Sequence, residues 1–186
     1  MSNFRFISKD IKVDKILQQV LANPDDWNEA SKIPNIAGDK KPYGFLPLTM
    51  AVVETNQENL SKEELEGLCV DSEGLQKTPM YHKYTEIRKF LKKYNCHTHS
   101  RAAFFRLKPG QSVFRHTDHG DYYLTRDRYH LSLQGTYTYT VEDEMHTIEP
   151  GTFFWFNNKK YHEAENISDV DRITFVFDIL HNKRNP

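Results

Sequence analysis

The chain has 186 residues, 27% of them charged, with a formal net charge of −1. A sequence of this length is most simply one domain with a proper buried core. The balanced charge, without a basic run, argues against nucleic-acid binding. The apolar runs are too short to cross a bilayer, the N-terminus lacks a signal-peptide pattern, and two scattered cysteines make no disulfide framework. We therefore expect a cytoplasmic protein with no nucleic-acid or membrane partner.

The first part of the chain predicts helices and loops. Apolar residues recur at helical spacing from Asp10 to Leu21, which predicts a short amphipathic helix. Residues 24–78 are punctuated by proline and glycine, although Leu46 to Val53 is compatible with a strand. Ser61 and Glu64 have the spacing of a helix capping box. We expect residues 24–78 to form a cover that shapes a substrate pocket.

A second helix is predicted to begin at Thr78-Pro79. Threonine is a favourable N-cap and proline is favourable at the first helical position. The apolar residues that follow recur at helical spacing, and they are Tyr84, Ile87, Phe90, Leu91 and Tyr94. We expect this stripe to pack against a sheet.

From His97 onward the pattern changes to short apolar or alternating runs separated by turn residues. These runs predict strands, and they are Ala102 to Leu107, Ser112 to Arg115, His130 to Leu133, Thr136 to Val141, Met145 to Ile148, Phe153 to Phe156, His162 to Asn166 and Arg172 to Ile179. Their close spacing favours a mainly β fold with flanking helices: a double-stranded β-helix, or cupin-like jelly roll. We expect a single domain over residues 1–186. Residues 1–95 would form the helical and loop-rich flank and substrate cover, and residues 96–181 the jelly-roll catalytic core.

Three residues of the β-rich region form a candidate metal site. His116 and Asp118 are two apart, so their side chains point the same way on an extended strand. His162 is the natural third ligand, because a β-sandwich can bring a distant strand back beside the first. Two imidazoles and a carboxylate suit non-haem iron(II) and leave coordination positions open. A His-x-Asp pair also arises by chance in a chain with 9 histidines.

A second constellation is cationic. Arg172 begins a strand that is apolar on both faces, where a guanidinium is tolerated only when an anion pairs with it. Asp171 or Asp178 is one candidate partner, and a carboxylate held by the guanidinium fork is the other. Arg128 and His130 share a face and offer further donors to the same small anion.

These motifs resemble a known family. The region from Phe104 to Asp178 is similar to the aspartyl/asparaginyl β-hydroxylases, a family of iron(II)- and 2-oxoglutarate-dependent dioxygenases that includes proline 3-hydroxylases. The matching segments are Arg106 to Gly110, His116 to Asp118, Arg128 to Leu133, Glu149 to Gly151, Phe153 to Asn158, His162, Arg172 and Phe177-Asp178.

The resemblance implies a role for each matching residue. His116, Asp118 and His162 would bind Fe(II), and Arg172 would hold the distal carboxylate of the co-substrate 2-oxoglutarate. His130 and Arg128 would contribute to co-substrate binding, and O₂ would be the oxidant. The catalytic set would then be His116, Asp118, His162 and Arg172.

Two positions depart from the mammalian members of the family. They have glycine in place of Asp118, so the present chain is more similar to the three-ligand amino-acid hydroxylases. Phe105 stands about where they have a serine near the co-substrate. By this resemblance Asp118 would complete a set of three ligands, and Phe105 would not provide the serine contact.

The function these features predict is hydroxylation of an unactivated C–H bond in an amino acid, an amino-acid residue or a related small metabolite. The substrate would be a small molecule or a peptidyl amino acid, and Arg101, Arg106, Arg115 and Arg126 are candidates for binding its carboxylate. One alternative is a cupin-like metal enzyme of another class, such as an isomerase or a dioxygenase that needs no 2-oxo acid. The other is a non-catalytic jelly-roll binding module.

Overall fold

The computed structural model describes residues 2–29, 43–51 and 75–181. Four α-helices lie in these ranges: α1 (Asp14–Leu21), α2 (Pro79–Lys83), α3 (Thr85–Lys93) and α4 (Asp121–Leu124), with a 3-10 turn at Pro24–Asp26. The strands are β1 (Phe4–Ser8), β2 (Asn28–Glu29), β3 (Tyr43–Ala51), β4 (Leu75–Lys77), β5 (Ala102–Leu107), β6 (Ser112–His116), β7 (Arg126–Gln134), β8 (Tyr137–Val141), β9 (Glu144–Ile148), β10 (Phe153–Phe156), β11 (His162–Asn166) and β12 (Arg172–Leu180). The predicted capping box at Ser61 and Glu64 lies outside the described residues.

The strands form two antiparallel sheets. The larger has the order β1-β10-β7-β12-β5-β3-β2, with β4 beside β3, and the smaller has the order β6-β11-β8-β9. Neighbours such as β7 and β12 are far apart in sequence and antiparallel, which is the crossing pattern of a double-sheet jelly roll. The mainly β, jelly-roll fold predicted from the sequence is confirmed. None of the helices in the described ranges is both long and apolar enough to cross a membrane.

Strand β12 explains how the helices attach. It lies between β7 and β5 and is buried along nearly its whole length. Successive side chains of a strand point to opposite faces. One face of β12 packs in a single apolar cluster with residues of α1 and α3. The members from the strand are Ile173, Phe175, Phe177 and Ile179, and those from the helices include Ile16, Val20, Ile87 and Leu91.

The opposite face of β12 lies inside the jelly roll and is largely polar. Arg172 reaches the ring of Tyr137 on the smaller sheet, which places this face between the two sheets. Three buried polar residues of β12 lie on it, and they are Arg172, Thr174 and Asp178. The polar interior therefore follows from one strand that is apolar toward the helices and polar toward the other sheet.

The predicted elements differ from the structure in several places, and α4, β2 and β4 were not predicted. The first helix begins at Asp14 rather than Asp10. The helix predicted from Thr78 is two helices, because Tyr84 has a non-helical ψ of 78° and its buried hydroxyl donates to Asp26 at 2.8 Å. Strand β1 was not predicted; it forms by pairing with the aromatic strand β10, a contact that local sequence does not encode.

Candidate metal centre

The pairing of β6 with β11 brings two histidines together. His116 ends β6 and His162 begins β11, and the two residues are directly opposite each other. Their ring centroids are 4.2 Å apart. Asp118 follows β6 and is fixed by its backbone N–H, which donates to the carbonyl of Asn158 at 3.0 Å. One ligating atom from each of the three side chains lies within 4.8 Å of the others.

Both imidazoles present the same nitrogen to the centre. Nδ1 of His116 is 2.7 Å from the carbonyl oxygen of Phe114, and Nδ1 of His162 is 2.9 Å from that of Lys160. A carbonyl oxygen can only accept, so Nδ1 carries the hydrogen in each ring. Nε2 then keeps a free lone pair, the form in which histidine binds a metal.

Two hydrogen bonds orient the carboxylate of Asp118. Its Oδ2 accepts hydrogen bonds from Arg128 Nη1 at 2.8 Å and from Asn158 Nδ2 at 2.9 Å. Both bonds fall on one oxygen, and the other, Oδ1, has no hydrogen-bond partner among the residues that the structure describes. Such outer partners orient a ligating carboxylate toward its ion.

Electrostatics favour the ligating protonation states. Burial acts to raise the pKa of Asp118, but Arg128, with smaller contributions from His162 and Asn158, brings it below its usual value. Burial lowers the pKa of His162 to about 4, partly opposed by Asp118. At neutral pH the carboxyl group is ionised and the imidazole of His162 is neutral, as metal ligation requires.

The donor set therefore fits a divalent transition metal. Two imidazole nitrogens and one carboxylate oxygen lie within 4.8 Å of one another, which matches the two-histidine, one-carboxylate arrangement of non-haem iron(II) sites. Three ligands leave about three positions of an octahedral ion free. The sequence had proposed these three residues, and the structure brings all three together.

Arg172 lies deeper in the same interior. It is buried, its Nε donates to the hydroxyl of Thr174 at 3.0 Å, and its guanidinium carbon is 4.1 Å from the ring centre of Tyr137. Neither aspartate that the sequence offered is its partner. Asp178 binds Arg128, and Asp171 lies 3.9 Å from Arg106.

Three more polar groups around Arg172 lack partners. Nδ1 of His130, Oγ of Ser132 and Oη of Tyr137 are buried with no hydrogen-bond partner. Ser132 is directly opposite Thr174 on the neighbouring strand, and burial followed by Arg172 lowers the pKa of His130 well below its usual value. Buried groups left without a partner cost free energy. These groups have hydrogen-bonding capacity that no described residue takes up, and a small polar anion beside Arg172 would satisfy it.

Arg128 is placed differently from the co-substrate contact expected of it. Nε and Nη2 donate to the two oxygens of Asp178 at 2.8 and 3.0 Å, while Nη1 donates to Asp118. Apart from their places in segments that resemble the family, Asp178 had been considered as a partner of Arg172 and Asn158 had been given no role. The spacing in the sequence is the signal that could have shown this. Asp178 shares a strand face with Arg172 but lies six residues further along the strand, so the two side chains are far apart.

Of the four arginines considered for a substrate carboxylate, two lie away from the centre. Arg115 is on the surface, near Glu142 at 3.4 Å and Glu163 at 3.9 Å. Arg106 lies against the ring of Trp27, on the helical side of the large sheet. The other two flank the ring of Tyr122, and they are Arg101 and Arg126.

Two antiparallel sheets that enclose a His-Asp-His group and a buried arginine define a jelly-roll protein with a candidate metal centre. The family model for aspartyl/asparaginyl β-hydroxylase matches residues 49–182, and the chain belongs to this family. It is thus a member of a family of hydroxylases, as its motifs had indicated. A search of curated proteins finds no match to the chain.

The chain is also similar to several solved structures over less than half of its length. A predicted oxalate decarboxylase from Thermotoga maritima is 21% identical, with a TM-score of 0.38 over 48% of this chain and 73% of that one. A cupin 2 conserved barrel domain protein from Salinispora arenicola is 13% identical, with a TM-score of 0.36 over 42% and 60%. The cupin 2 domain of an XRE-family transcriptional regulator from Enterobacter cloacae is 19% identical, with a TM-score of 0.37 over 45% and 82%.

Proposed function

We propose that the protein is an iron(II)- and 2-oxoglutarate-dependent dioxygenase that hydroxylates an unactivated C–H bond of an amino acid, an amino-acid residue or a related small metabolite. The observation that carries this proposal is Arg172, a buried guanidinium with no carboxylate partner among the residues that the structure describes, in the same interior as the His-Asp-His group. A metal site alone would suit several enzyme classes. The unpaired arginine adds the requirement for a ligand with a carboxylate.

The spacing between the two sites supports a dicarboxylate. His162 stacks on Tyr139, with ring centroids 6.2 Å apart and planes 9° apart, and Arg172 lies on the ring of Tyr137. Tyr137 and Tyr139 are two residues apart on β8, a step of about 6.8 Å along a strand. An extended five-carbon dicarboxylate has a comparable length, so one end can meet the metal while the other reaches Arg172.

Bound iron(II) would supply the oxidising chemistry, in which one atom of O₂ enters the substrate C–H bond as hydroxyl and the other enters succinate as 2-oxoglutarate loses CO₂. The protein's own residues bind and orient. His116, Asp118 and His162 hold the ion on one side, and Arg172 fixes the far carboxylate of the 2-oxo acid. The aromatic wall of Tyr137 and Tyr139 excludes water from the space between.

The direct test is succinate formation from 2-oxoglutarate by the Fe(II)-loaded protein, with and without candidate amino acids. We expect slow succinate release without substrate and faster release with a substrate. His162→Ala should abolish it, because the remaining two donors bind the ion weakly, whereas His97→Ala, at an exposed histidine, should not. A parent protein that binds the metal but forms no succinate would contradict the proposal and favour a cupin-like enzyme that uses no 2-oxo acid.

A further inference from the structure

A second unpaired guanidinium lies at the other end of the interior. Arg101 comes just before β5, and its carbonyl accepts the backbone N–H of Asp178 at 3.1 Å. Its guanidinium carbon is 4.0 Å from the ring centre of Tyr122 and 5.9 Å from that of Tyr123. The ring of Tyr123 is in turn 4.8 Å from the guanidinium of Arg128, which binds Asp118. Arg101 is thus connected to Asp118 through the ring of Tyr123 and the guanidinium of Arg128.

Arg101 has no anionic partner. Its Nε and Nη2 are buried without a hydrogen-bond acceptor, and no ion pair involves it in the described part of the chain. The neighbouring carboxylate, Asp178, is occupied by two bonds from Arg128 and one from the hydroxyl of Tyr122. Arg101 is only half-buried as a whole, so part of the side chain remains open to a ligand.

A second cation beside Tyr122 adds to the positive charge that no carboxylate neutralises. The guanidinium carbon of Arg126 is 4.1 Å from the same ring, and Arg126 is buried. Its hydrogen bonds go to Ser100 Oγ, Thr125 Oγ1 and a backbone carbonyl, none of which carries charge. Three guanidinium groups therefore converge on Tyr122 and Tyr123, and only Arg128 is neutralised by carboxylates.

Contact with the rings does not offset this burial. A cation gains less free energy from an aromatic face than the enclosure of an unpaired charge costs. An arginine that served only to hold the fold would be expected to have a carboxylate partner, as Arg128 does. The missing negative charge is therefore expected to come from a bound molecule.

We propose that Arg101 binds a carboxylate of the molecule that is hydroxylated, so that the two anions of the reaction have separate arginines at opposite ends of β12. The inference rests on the proposed function, in which Arg172 receives the 2-oxo acid. The substrate would then be a small molecule with a free carboxylate, such as an amino acid, or an acidic residue whose carboxylate is free. An amide or ester of the same molecule would lack the group that Arg101 receives.

The test measures binding without turnover. The protein is loaded with Zn²⁺ and 2-oxoglutarate, and its melting temperature is followed against the L-amino acids, N-acetyl-L-aspartate and N-acetyl-L-glutamate, each paired with its carboxamide. For the parent, at least one acid should raise the melting temperature more than its amide does. In Arg101→Met, which keeps an unbranched side chain but removes the guanidinium, the dissociation constant of that acid should rise at least tenfold. Arg115→Met, the surface control, should bind as the parent does.

Two further variants separate binding from folding. Arg101→Lys retains a cation and should retain the preference for acid over amide. Without ligands, Arg101→Met should melt no lower than the parent, since the charge it removes has no partner, whereas a purely structural Arg101 predicts a lower melting temperature. The proposal is overturned if no acid outperforms its amide, or if Arg101→Met binds the acid as tightly as the parent. Succinate formation by the parent is measured separately, so failure here is distinguishable from failure of the dioxygenase assignment.

Discussion

Arg128 donates to Asp118 at 2.8 Å while the rest of its guanidinium holds Asp178 at 2.8 and 3.0 Å. The candidate metal ligand is thereby connected to a carboxylate on the opposite side of the guanidinium. Asp178 is almost completely enclosed and also accepts the hydroxyl of Tyr122 at 3.1 Å. It thus influences the position and charge of Asp118 without reaching the metal itself.

The first prediction concerns this connection. Asp178→Asn removes a negative charge and leaves Arg128 to bind Asp118 more strongly, and both effects disfavour a divalent cation. We expect the affinity for Co²⁺ to fall by about 10- to 100-fold, measured by titration of the metal-free protein. Asp171→Asn makes the same charge change at the other end of β12 and should leave the affinity unchanged. Equal affinity in Asp178→Asn and the parent would show that the connection has no role in metal binding.

The second prediction concerns the pocket of Arg172. Arg172→Met should raise the KM for 2-oxoglutarate about 100-fold, because two charge-assisted hydrogen bonds at roughly 1.5 kcal/mol each are lost. Tyr137→Phe removes a buried hydroxyl that has no partner. It should raise the KM by several-fold without lowering the melting temperature of the free protein. Initial rates of succinate formation give both values, with Arg115→Met as the control, and an unchanged KM in Arg172→Met would exclude the carboxylate-binding role.

Local pattern was enough to predict the central strand and the helix stripes. The run from Arg172 to Ile179 predicted a central strand, and β12 does lie in the middle of the large sheet. The prediction that both faces of this strand are apolar was wrong, because the face toward the smaller sheet carries Arg172, Thr174 and Asp178. The three candidate metal ligands could also be predicted, because His116 and Asp118 lie close together in sequence and His162 follows a distinct aromatic strand. These features depend on short-range spacing or on composition.

The partners of the arginines could not be predicted from local sequence in the same way. Whether Asp178 binds Arg172 or Arg128 depends on the register between β12 and β7, in which Asp178 is opposite Arg128. Register is fixed by packing across the whole sheet rather than by neighbours in sequence. The same holds for Tyr84, which interrupts a regular helical stripe because a tertiary hydrogen bond to Asp26 fixes it there.

The third prediction concerns pH. Burial lowers the pKa of His99, His130 and His162 below the usual value of 6.5. The unfolded chain therefore takes up these protons near pH 6.5 while the folded chain does not, so stability should fall as the pH drops below about 6.5. For His162, whose pKa is lowered to about 4, we expect a loss of roughly 1 kcal/mol by pH 5.5, and His99 and His130 should add to it. The measurement is urea unfolding of the metal-free protein. His130→Phe should reduce this dependence, and His97→Gln should not; a flat profile would contradict the burial of these rings.

The last prediction compares two glycines in the left-handed region. Gly135, between β7 and β8, has a φ of +78°, and an added Cβ would lie 2.9 Å from Ser168 Oγ and 3.0 Å from the Cα of Arg172. Gly110 has a φ of +70°, but a Cβ there would meet nothing within 4 Å. Alanine at either position carries a backbone cost of about 1–2 kcal/mol, and only Gly135→Ala adds a steric cost of about 1–3 kcal/mol.

The steric cost falls on the backbone that begins β12, so it should appear in function as well as in stability. Urea unfolding of the two variants side by side should show Gly135→Ala as the less stable. Its KM for 2-oxoglutarate should also rise, because Arg172 is displaced, whereas that of Gly110→Ala should match the parent. Equal destabilisation in the two variants would mean that the turn at Gly135 adapts to the added Cβ without moving Arg172. The close approach of this turn to β12 would then have no role in positioning the guanidinium.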